Sequence, residues 1–190
     1  MDDANQEILR QKFLRHRLTR KTVNIDRRAV SENVAVNSMW IDAPDSAKNT
    51  LDPKWVEALR NDPERFGDHL NFACEKEVET TTLENLTTTH SVPFFIKTDV
   101  EGHEPSVLRG LHRPVPHLSF EVNLPEFKLE GLQCINSLNE IASNGKFNCA
   151  VDCRRGLMFE KWMSQQDFAQ VFDQCQETSI EVFWKTGFRN

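Results

Sequence analysis

The feature that most constrains the fold is a short apolar run, Phe94 to Ile96, that leads directly into a cluster of charged residues. The run has no helical spacing, so we expect a buried strand over Val92 to Val100. Pro105 follows and suits the first turn of a helix, because its missing N–H would be unpaired there anyway. A strand that passes directly into a helix is the repeating unit of an α/β layer fold.

The same alternation continues toward the C-terminus. Gly110 suits the end of the helix that begins near Pro105. Strands are predicted at residues 117–122, 147–153 and 180–184, and helices at 132–142 and 165–175. Strands that alternate with helices favour an α/β fold with a largely parallel sheet.

The first half of the chain has weaker patterns. A basic amphipathic helix is predicted at residues 4–18, and its basic side chains are expected to form the face of the helix that is exposed to solvent. Short strands are predicted at Val23 to Ile25 and at Val34 to Ile41, and a short helix at Trp55 to Leu59 within loop-like residues 42–70. Thr82 is a plausible N-cap for a further helix.

Length and charge narrow the class of protein. A chain of 190 residues favours a single domain, and its net charge of −6 disfavours nucleic acid and anionic membranes as partners. No apolar stretch approaches the roughly 18 residues that span a bilayer. The start of the chain is polar and unlike a signal peptide, and the odd number of cysteines disfavours a disulfide framework, so we expect a cytoplasmic protein.

Two predicted strands end in polar side chains. Lys97, Asp99 and Glu101 share one face for as long as the strand persists, and Glu121 and Asn123 end the next strand. Ligands of open parallel sheets bind outside the carboxyl ends of the strands, so these residues define a candidate active-site rim. Capping of the following helix by Asp99 and Glu101 is an equally good interpretation.

These residues lie in a longer ordered pattern, which resembles the FkbM family of S-adenosylmethionine-dependent methyltransferases. The resemblance covers roughly residues 20–186 and is densest at 80–123. It is carried by "TLENL" at 82–86, "IKTDVEGHE" at 96–104, "VLRG" at 107–110, Glu121 and the closing "IEVFWK". Threonine at 98 replaces the family's usual isoleucine.

The resemblance implies a class I methyltransferase-like, Rossmann-like sheet with helices on both faces, and S-adenosyl-L-methionine as cofactor. It implies roles for three groups of residues. The catalytic candidates are Asp99, Glu101, Lys97 and His103; the substrate-binding candidates are Glu104, Glu121 and Asn123; the cofactor-binding candidates are Ala29, Val30 and Ser31. His103 is a candidate base because its ordinary pKa is near neutrality, although a surface histidine is the commoner case.

One part of the family pattern is missing. The family holds its cofactor with a glycine-rich turn, where the backbone approaches the ligand closely, but the first glycine of this chain is Gly67. We therefore expect a partial, N-terminally truncated domain, with its catalytic half at residues 80–186 and the first two strands of the implied order 3-2-1-4-5-7-6 absent. The strand at Phe94 would then have an open edge, through which the chain could associate with itself.

Three functions remain open from the sequence. The first is methyl transfer to a hydroxyl of a small molecule or sugar. The second is a non-catalytic, methyltransferase-like binding module. The third and weakest is a divalent metal site made by Asp99, Glu101, His103 and Glu104.

Overall fold

The computed structural model describes residues 7, 11, 12, 23–44, 46–62 and 70–187. They belong to two compact units, one formed by Met1–Val30 with Val34–Thr81 and the other by Ser31–Asn33 with Thr82–Asn190. The predicted helix at residues 4–18 lies outside the described residues, except that residues 7, 11 and 12 are helical. No helix among the described residues is long and apolar enough to cross a membrane.

The first unit contains a three-stranded sheet. Its elements are β1 (Ala29–Val30), β2 (Val36–Ile41), α1 (Pro53–Asn61) and β3 (Cys74–Thr81). The strand order is β1-β3-β2, with β1 parallel and β2 antiparallel to β3. The predictions of β2 and α1 are confirmed.

Two features of this sheet differ from the sequence-based expectation. Val23 to Ile25 do not form a strand, so that prediction is wrong; the pairing begins at Ala29, which lies opposite Thr80 of β3. β3 was not predicted, because half of its side chains are charged and exposed and the strand gives no apolar alternation. Its hydrogen-bonded neighbours, rather than a buried face, define it as a strand.

α1 shows how local sequence determines a helix start in this unit. The Asp52 side chain accepts hydrogen bonds from the backbone N–H groups of Lys54 and Trp55, and Pro53 occupies the first turn. Trp55 and Leu59, four residues apart, are both buried on one side of the helix. The cap and the apolar spacing therefore agree on the same helix.

The second unit contains a four-stranded sheet. Its elements are α2 (Leu83–His90), β4 (Phe95–Thr98), α3 (Glu104–Arg109), β5 (His117–Asn123), α4 (Lys128–Ile141), β6 (Lys146–Ala150), a 3₁₀ turn (Cys153–Arg155), α5 (Gln165–Asp173) and β7 (Ser179–Lys185). The order is β4-β5-β7-β6. β4 and β5 are parallel, whereas β7 runs antiparallel to both of its neighbours.

The predicted α/β class is confirmed, and the order of these four strands matches the last four places of the order that the resemblance implied. β4, β5 and β6 run in one direction, as expected for a largely parallel sheet, but only one of the three strand pairings is parallel because β7 enters between β5 and β6. The Thr82 cap is also confirmed, since its side chain accepts from the N–H of Asn85 at 3.0 Å.

One face of this sheet forms the core. The side chains of Phe120, Val182 and Phe147, from three different strands, are fully buried there. Helix α5 packs on this face through Phe168, whose ring stacks on Phe147 with centroids 5.6 Å apart. Helix α4 approaches the same face so closely that a Cβ on Gly131 would lie 3.1 Å from Val122.

β4 stands at one end of the strand order β4-β5-β7-β6, and it is shorter than predicted. Phe94 is 74% exposed and Phe95 42% exposed, whereas Ile96 is only 8% exposed. The expectation that the whole apolar run is buried on both faces is therefore wrong, because alternate side chains of β4 point away from the core. Self-association through this strand stays a prediction.

Gly110 ends α3, as predicted, but for a different reason. Its φ is −80°, which any residue adopts, so the left-handed region is not required. A Cβ at this position would instead lie 2.5 Å from the carbonyl oxygen of Ser31. Glycine is needed here because the segment Ser31–Asn33 passes directly over the end of the helix.

Candidate functional site

The candidate site begins at the loop that leaves β4. Glu101 and Gly102 both have left-handed backbone, with φ of 54° and 90°, and they turn the chain from β4 into α3. A non-glycine residue in this region costs on the order of 1–2 kcal/mol, and such strain occurs often at functional sites. The turn is closed by the N–H of His103, which donates to the carbonyl of Val100 at 3.3 Å.

Glu104 holds this loop from inside. It is 6% exposed, and its Oε1 accepts a hydrogen bond from the N–H of Val100 at 3.0 Å. Burial, with smaller contributions from the charges of Asp99 and Glu121, raises the pKa of Glu104 to about 7, although the hydrogen bond from the Val100 N–H opposes the rise. This position gives Glu104 a structural role in shaping the loop, while its predicted role in binding substrate stays a prediction.

His103 and Ser31 meet in the second unit. The Nε2 atom of His103 lies 3.0 Å from the Oγ of Ser31, which is buried. The next residue, Glu32, pairs with Arg109 of α3 at 2.5 Å. A predicted catalytic residue and a predicted cofactor-binding residue, 72 positions apart, are therefore in direct contact.

Ala29 and Val30 precede this contact along the chain. Both are half-buried and form β1, opposite Thr80 and Thr81 of β3. Their predicted role in cofactor binding stays a prediction. Only Ser31 among the three cofactor-binding candidates belongs to the second unit.

Lys97 connects three strands on the face opposite the core. Its Nζ lies 2.8 Å from Oε2 of Glu181 in β7 and 3.5 Å from Oδ2 of Asp99. To reach Glu181 the side chain crosses β5 beside Ser119, its direct neighbour in the strand register. Ser119 is small enough to lie fully buried beneath this crossing.

The electrostatics of Lys97 follow from these contacts. Partial burial disfavours its charge, but the hydrogen bond and charge of Glu181, together with the charge of Asp99, outweigh that effect and raise the pKa of Lys97. The ammonium group therefore lies between two carboxylates, while the Lys97 side chain is 45% exposed.

Glu121 and Asn123 lie farther along β5. Glu121 is directly opposite Glu181 in the antiparallel register, and its Oε1 accepts from the hydroxyl of Ser179 at 2.7 Å. Asn123, the last residue of β5, is opposite Ser179. The structure thus brings Lys97, Asp99 and Glu121 to one face, joined through Glu181, with Asn123 at the carboxyl end of the same strand.

Sequence reasoning missed Glu181 and Ser179. Oε1 of Glu181 is buried and has no hydrogen-bond partner among the residues that the structure describes. Ser179 and Glu181 alternate with the buried Ile180 and Val182, so the sequence did signal that they face away from the core. The strand order that the resemblance implied placed this strand beside β5, but it contained no sign that Glu181 would reach Lys97.

The arrangement brings carboxylates and an ammonium group together near the carboxyl end of β4. Asp99 is the carboxylate best placed to accept a proton or a hydrogen bond, since its side chain is 49% exposed at the end of β4. Among the described residues, no three His, Cys, Asp or Glu side chains are grouped so that they could hold a metal ion.

Comparison with known proteins identifies the family to which the chain belongs. A family model described as the methyltransferase FkbM domain matches residues 5–143, well over half of the chain. The match includes the whole loop from Asp99 to Glu104, and it ends before β6, α5 and β7. Searches of curated proteins and of solved structures gave no significant match. The chain belongs to the FkbM methyltransferase domain family.

Proposed function

We propose that the chain acts in methyl transfer from S-adenosyl-L-methionine to a hydroxyl group of a small molecule or sugar. Family membership supports the reaction class. The observation that carries the proposal is the contact between His103 and Ser31, at 3.0 Å, beside the loop that leaves β4. This contact connects Ser31, which is expected to bind the cofactor, with His103 in the loop that is expected to bind the acceptor.

The residues of the chain would act mainly by positioning the acceptor. When bound, the cofactor supplies an activated methyl group. The acceptor hydroxyl would donate a hydrogen bond to Oδ2 of Asp99, and this carboxylate would take the proton as the oxygen gains its new bond to carbon. Lys97 would keep Asp99 oriented from 3.5 Å away. Glu121 and Asn123 are proposed to bind further hydroxyl groups of the acceptor.

The fit to the cofactor is partial. Ser31 is placed beside His103, but no described residue before Gly102 is a glycine, and the first glycine of the sequence is Gly67. Close approach of a backbone to this ligand ordinarily needs glycine. We therefore expect weak binding of S-adenosyl-L-methionine by the chain alone, and stoichiometric binding at micromolar affinity in calorimetry would contradict this expectation.

The missing turn also supports a second candidate function. A methyltransferase-like domain with a weak cofactor site could act as a binding module for the same hydroxyl compounds. The two candidates share the acceptor residues and differ in whether methyl transfer occurs. The distinction therefore requires a turnover measurement rather than a binding measurement alone.

The test combines a methyl-labelled cofactor at millimolar concentration with a panel of sugars and small polyols. We expect label in at least one acceptor, and we expect Asp99→Asn and Glu101→Gln to lower turnover more than they lower stability in urea. Asp152→Asn is a matched control, because Asp152 is an exposed acid that caps the 3₁₀ turn beyond β6. Acceptor binding without any transfer of label would favour the binding module. Variants that unfold yet keep their activity per folded molecule would give the acids a structural role, although no side-chain hydrogen bond caps α3.

A further inference from the structure

A cavity of about 300 Å³ lies in the second unit, between α5, the end of β6 and the start of β7. In the sheet order, β5 lies between β4 and β7, the strand that contributes Ile180 to this cavity. Its inner wall is formed by Cys149, Phe168, Phe172 and Ile180, all of which are buried. None of these residues takes part in the proposed methyl-transfer site.

Three phenylalanine rings, those of Phe159, Phe168 and Phe172, line the wall of the cavity. Phe168 stacks on Phe147 at 5.6 Å with an interplanar angle of 14°, and Phe172 follows at 6.4 Å with an angle of 37°. Phe159 adds a third ring to the lining. Aromatic faces and edges attract further rings in offset or tilted arrangements, so this wall favours a flat aromatic ligand.

Sulfur atoms line one side of the cavity. The Sγ of Cys149 lies 3.4 Å from the Sδ of Met158, a half-exposed side chain at the opening. Burial raises the pKa of the Cys149 thiol to about 12, so the thiol stays uncharged at neutral pH. Thioethers adapt their shape readily and make favourable contacts with aromatic rings, so Met158 suits the edge of a site for an aromatic ligand.

The opening of the cavity is polar. Gln174, Gln176 and Glu177 are exposed where the chain leaves α5. The Glu177 carboxylate repels anions, and among the described residues no Lys, Arg or His lines the cavity. An anionic ligand would therefore meet a like charge at the entrance and have no cation to pair with inside.

We propose that this cavity binds a small neutral aromatic molecule of one or two rings. A volume of about 300 Å³ lies at the lower end of the range for ligand sites, roughly 300–1,000 Å³. It is also equivalent to about ten water molecules at their volume in the liquid, which leaves room for a bicyclic ring system. The site is independent of methyl transfer, so its presence or absence can be established without an active enzyme.

The test uses indole as the probe and indole-3-carboxylate as its anionic counterpart. Methyl groups of Met158, Val171 and Ile180 are followed by NMR in the isotopically labelled full chain. We expect saturable shifts of these three signals with indole and binding at least tenfold weaker with the carboxylate. Unchanged signals with indole, or equal affinity for the two probes, would overturn the proposal.

A variant whose cavity is filled by a larger side chain can be compared with a variant that carries the same change elsewhere. Val171→Phe adds a ring to the lining on α5 and should abolish the indole-induced shifts, whereas Val36→Phe makes the same change at an exposed position on β2 and should leave them intact. The methyl signals of Leu118 and Val182, which do not line the cavity, report whether Val171→Phe still folds. If that variant folds and indole still shifts Met158 and Ile180 to the same extent, the cavity is not the binding site.

Discussion

Replacement of Glu104 by glutamine should change how stability depends on pH. Glu104 is a buried carboxyl whose Oε1 accepts from the Val100 N–H at 3.0 Å. Glutamine keeps a side-chain oxygen for that hydrogen bond but cannot ionise. The substitution therefore separates the charge of Glu104 from its role in holding the loop.

The sign follows from proton binding. The pKa of Glu104 rises from 4.5 to about 7 in the folded protein, mainly because of burial, so the folded state binds more protons than the unfolded state between these values. The contribution of Glu104 to the free energy of unfolding is therefore fully present below pH 4.5, and it is lost as the pH rises through about 7. Each tenfold change in proton affinity corresponds to about 1.4 kcal/mol of free energy. The total loss in the free energy of unfolding is therefore roughly 3 kcal/mol, of which about 2.5 kcal/mol is lost between pH 5 and pH 8.

The assay is urea unfolding at pH 5, 6, 7 and 8, followed by the fluorescence of the four tryptophans, of which Trp55 and Trp184 are buried. The measured quantity is the free energy of unfolding of Glu104→Gln minus that of the wild type. We expect this difference to move in favour of the variant by about 2.5 kcal/mol from pH 5 to pH 8. Glu140→Gln, at an exposed position on α4, is the matched control for replacing a glutamate by glutamine.

A difference that stays constant between pH 5 and pH 8 for Glu104→Gln would refute the reasoning. It would mean that the carboxyl is solvated in the folded protein and that the loop after β4 opens readily. A lower but pH-independent stability of the variant would lead to the same conclusion about the charge, because loss of packing alone does not depend on pH.

Two further predictions concern the core and the polar face of the sheet. Gly131→Ala would place a methyl carbon 2.4 Å from Cζ of the buried Phe172, so we expect a loss of about 1–3 kcal/mol in urea unfolding. Gly187→Ala, with no atom within 4 Å of the new Cβ, should lose almost nothing, and equal losses would contradict the packing argument. Glu181→Gln removes the closest carboxylate of Lys97, so the pKa of Lys97 should fall in an NMR titration of its ammonium group; an unchanged pKa would show that the 2.8 Å contact does not form in solution.

Local sequence was sufficient for the fold class and for several element boundaries. The helix at α1 follows from its Asp52 cap and its buried face, and the start of α2 follows from Thr82. The acids after β4 were recognised as a rim because apolar residues give way to charges at that point. These features depend on residues a few positions apart, whose spacing along the chain directly determines which of them share a face.

The family pattern implied that β7 lies beside β5, but only the tertiary structure showed the pairing of β3 and the side-chain contacts between neighbouring strands. β3 was not recognised, because its charged residues show no buried face and its definition depends on pairing with β1 and β2. Likewise, the antiparallel entry of β7 beside β5 brings Glu181 within 2.8 Å of Lys97, 84 residues away in sequence. Backbone hydrogen bonds between strands are nearly independent of side-chain identity, so the periodicity of one strand does not specify its partner.

The contact between Ser31 and His103 has the same origin. The sequence assigned each residue to a candidate role, through the family pattern, but nothing local to either one indicated that they would meet. Their 3.0 Å contact depends on the close approach of Ser31 to Gly110, where any side chain larger than hydrogen would collide with the backbone. The sequence by itself therefore determined the elements and the chemical groups of the site, whereas packing between distant segments determined which of those groups are in contact.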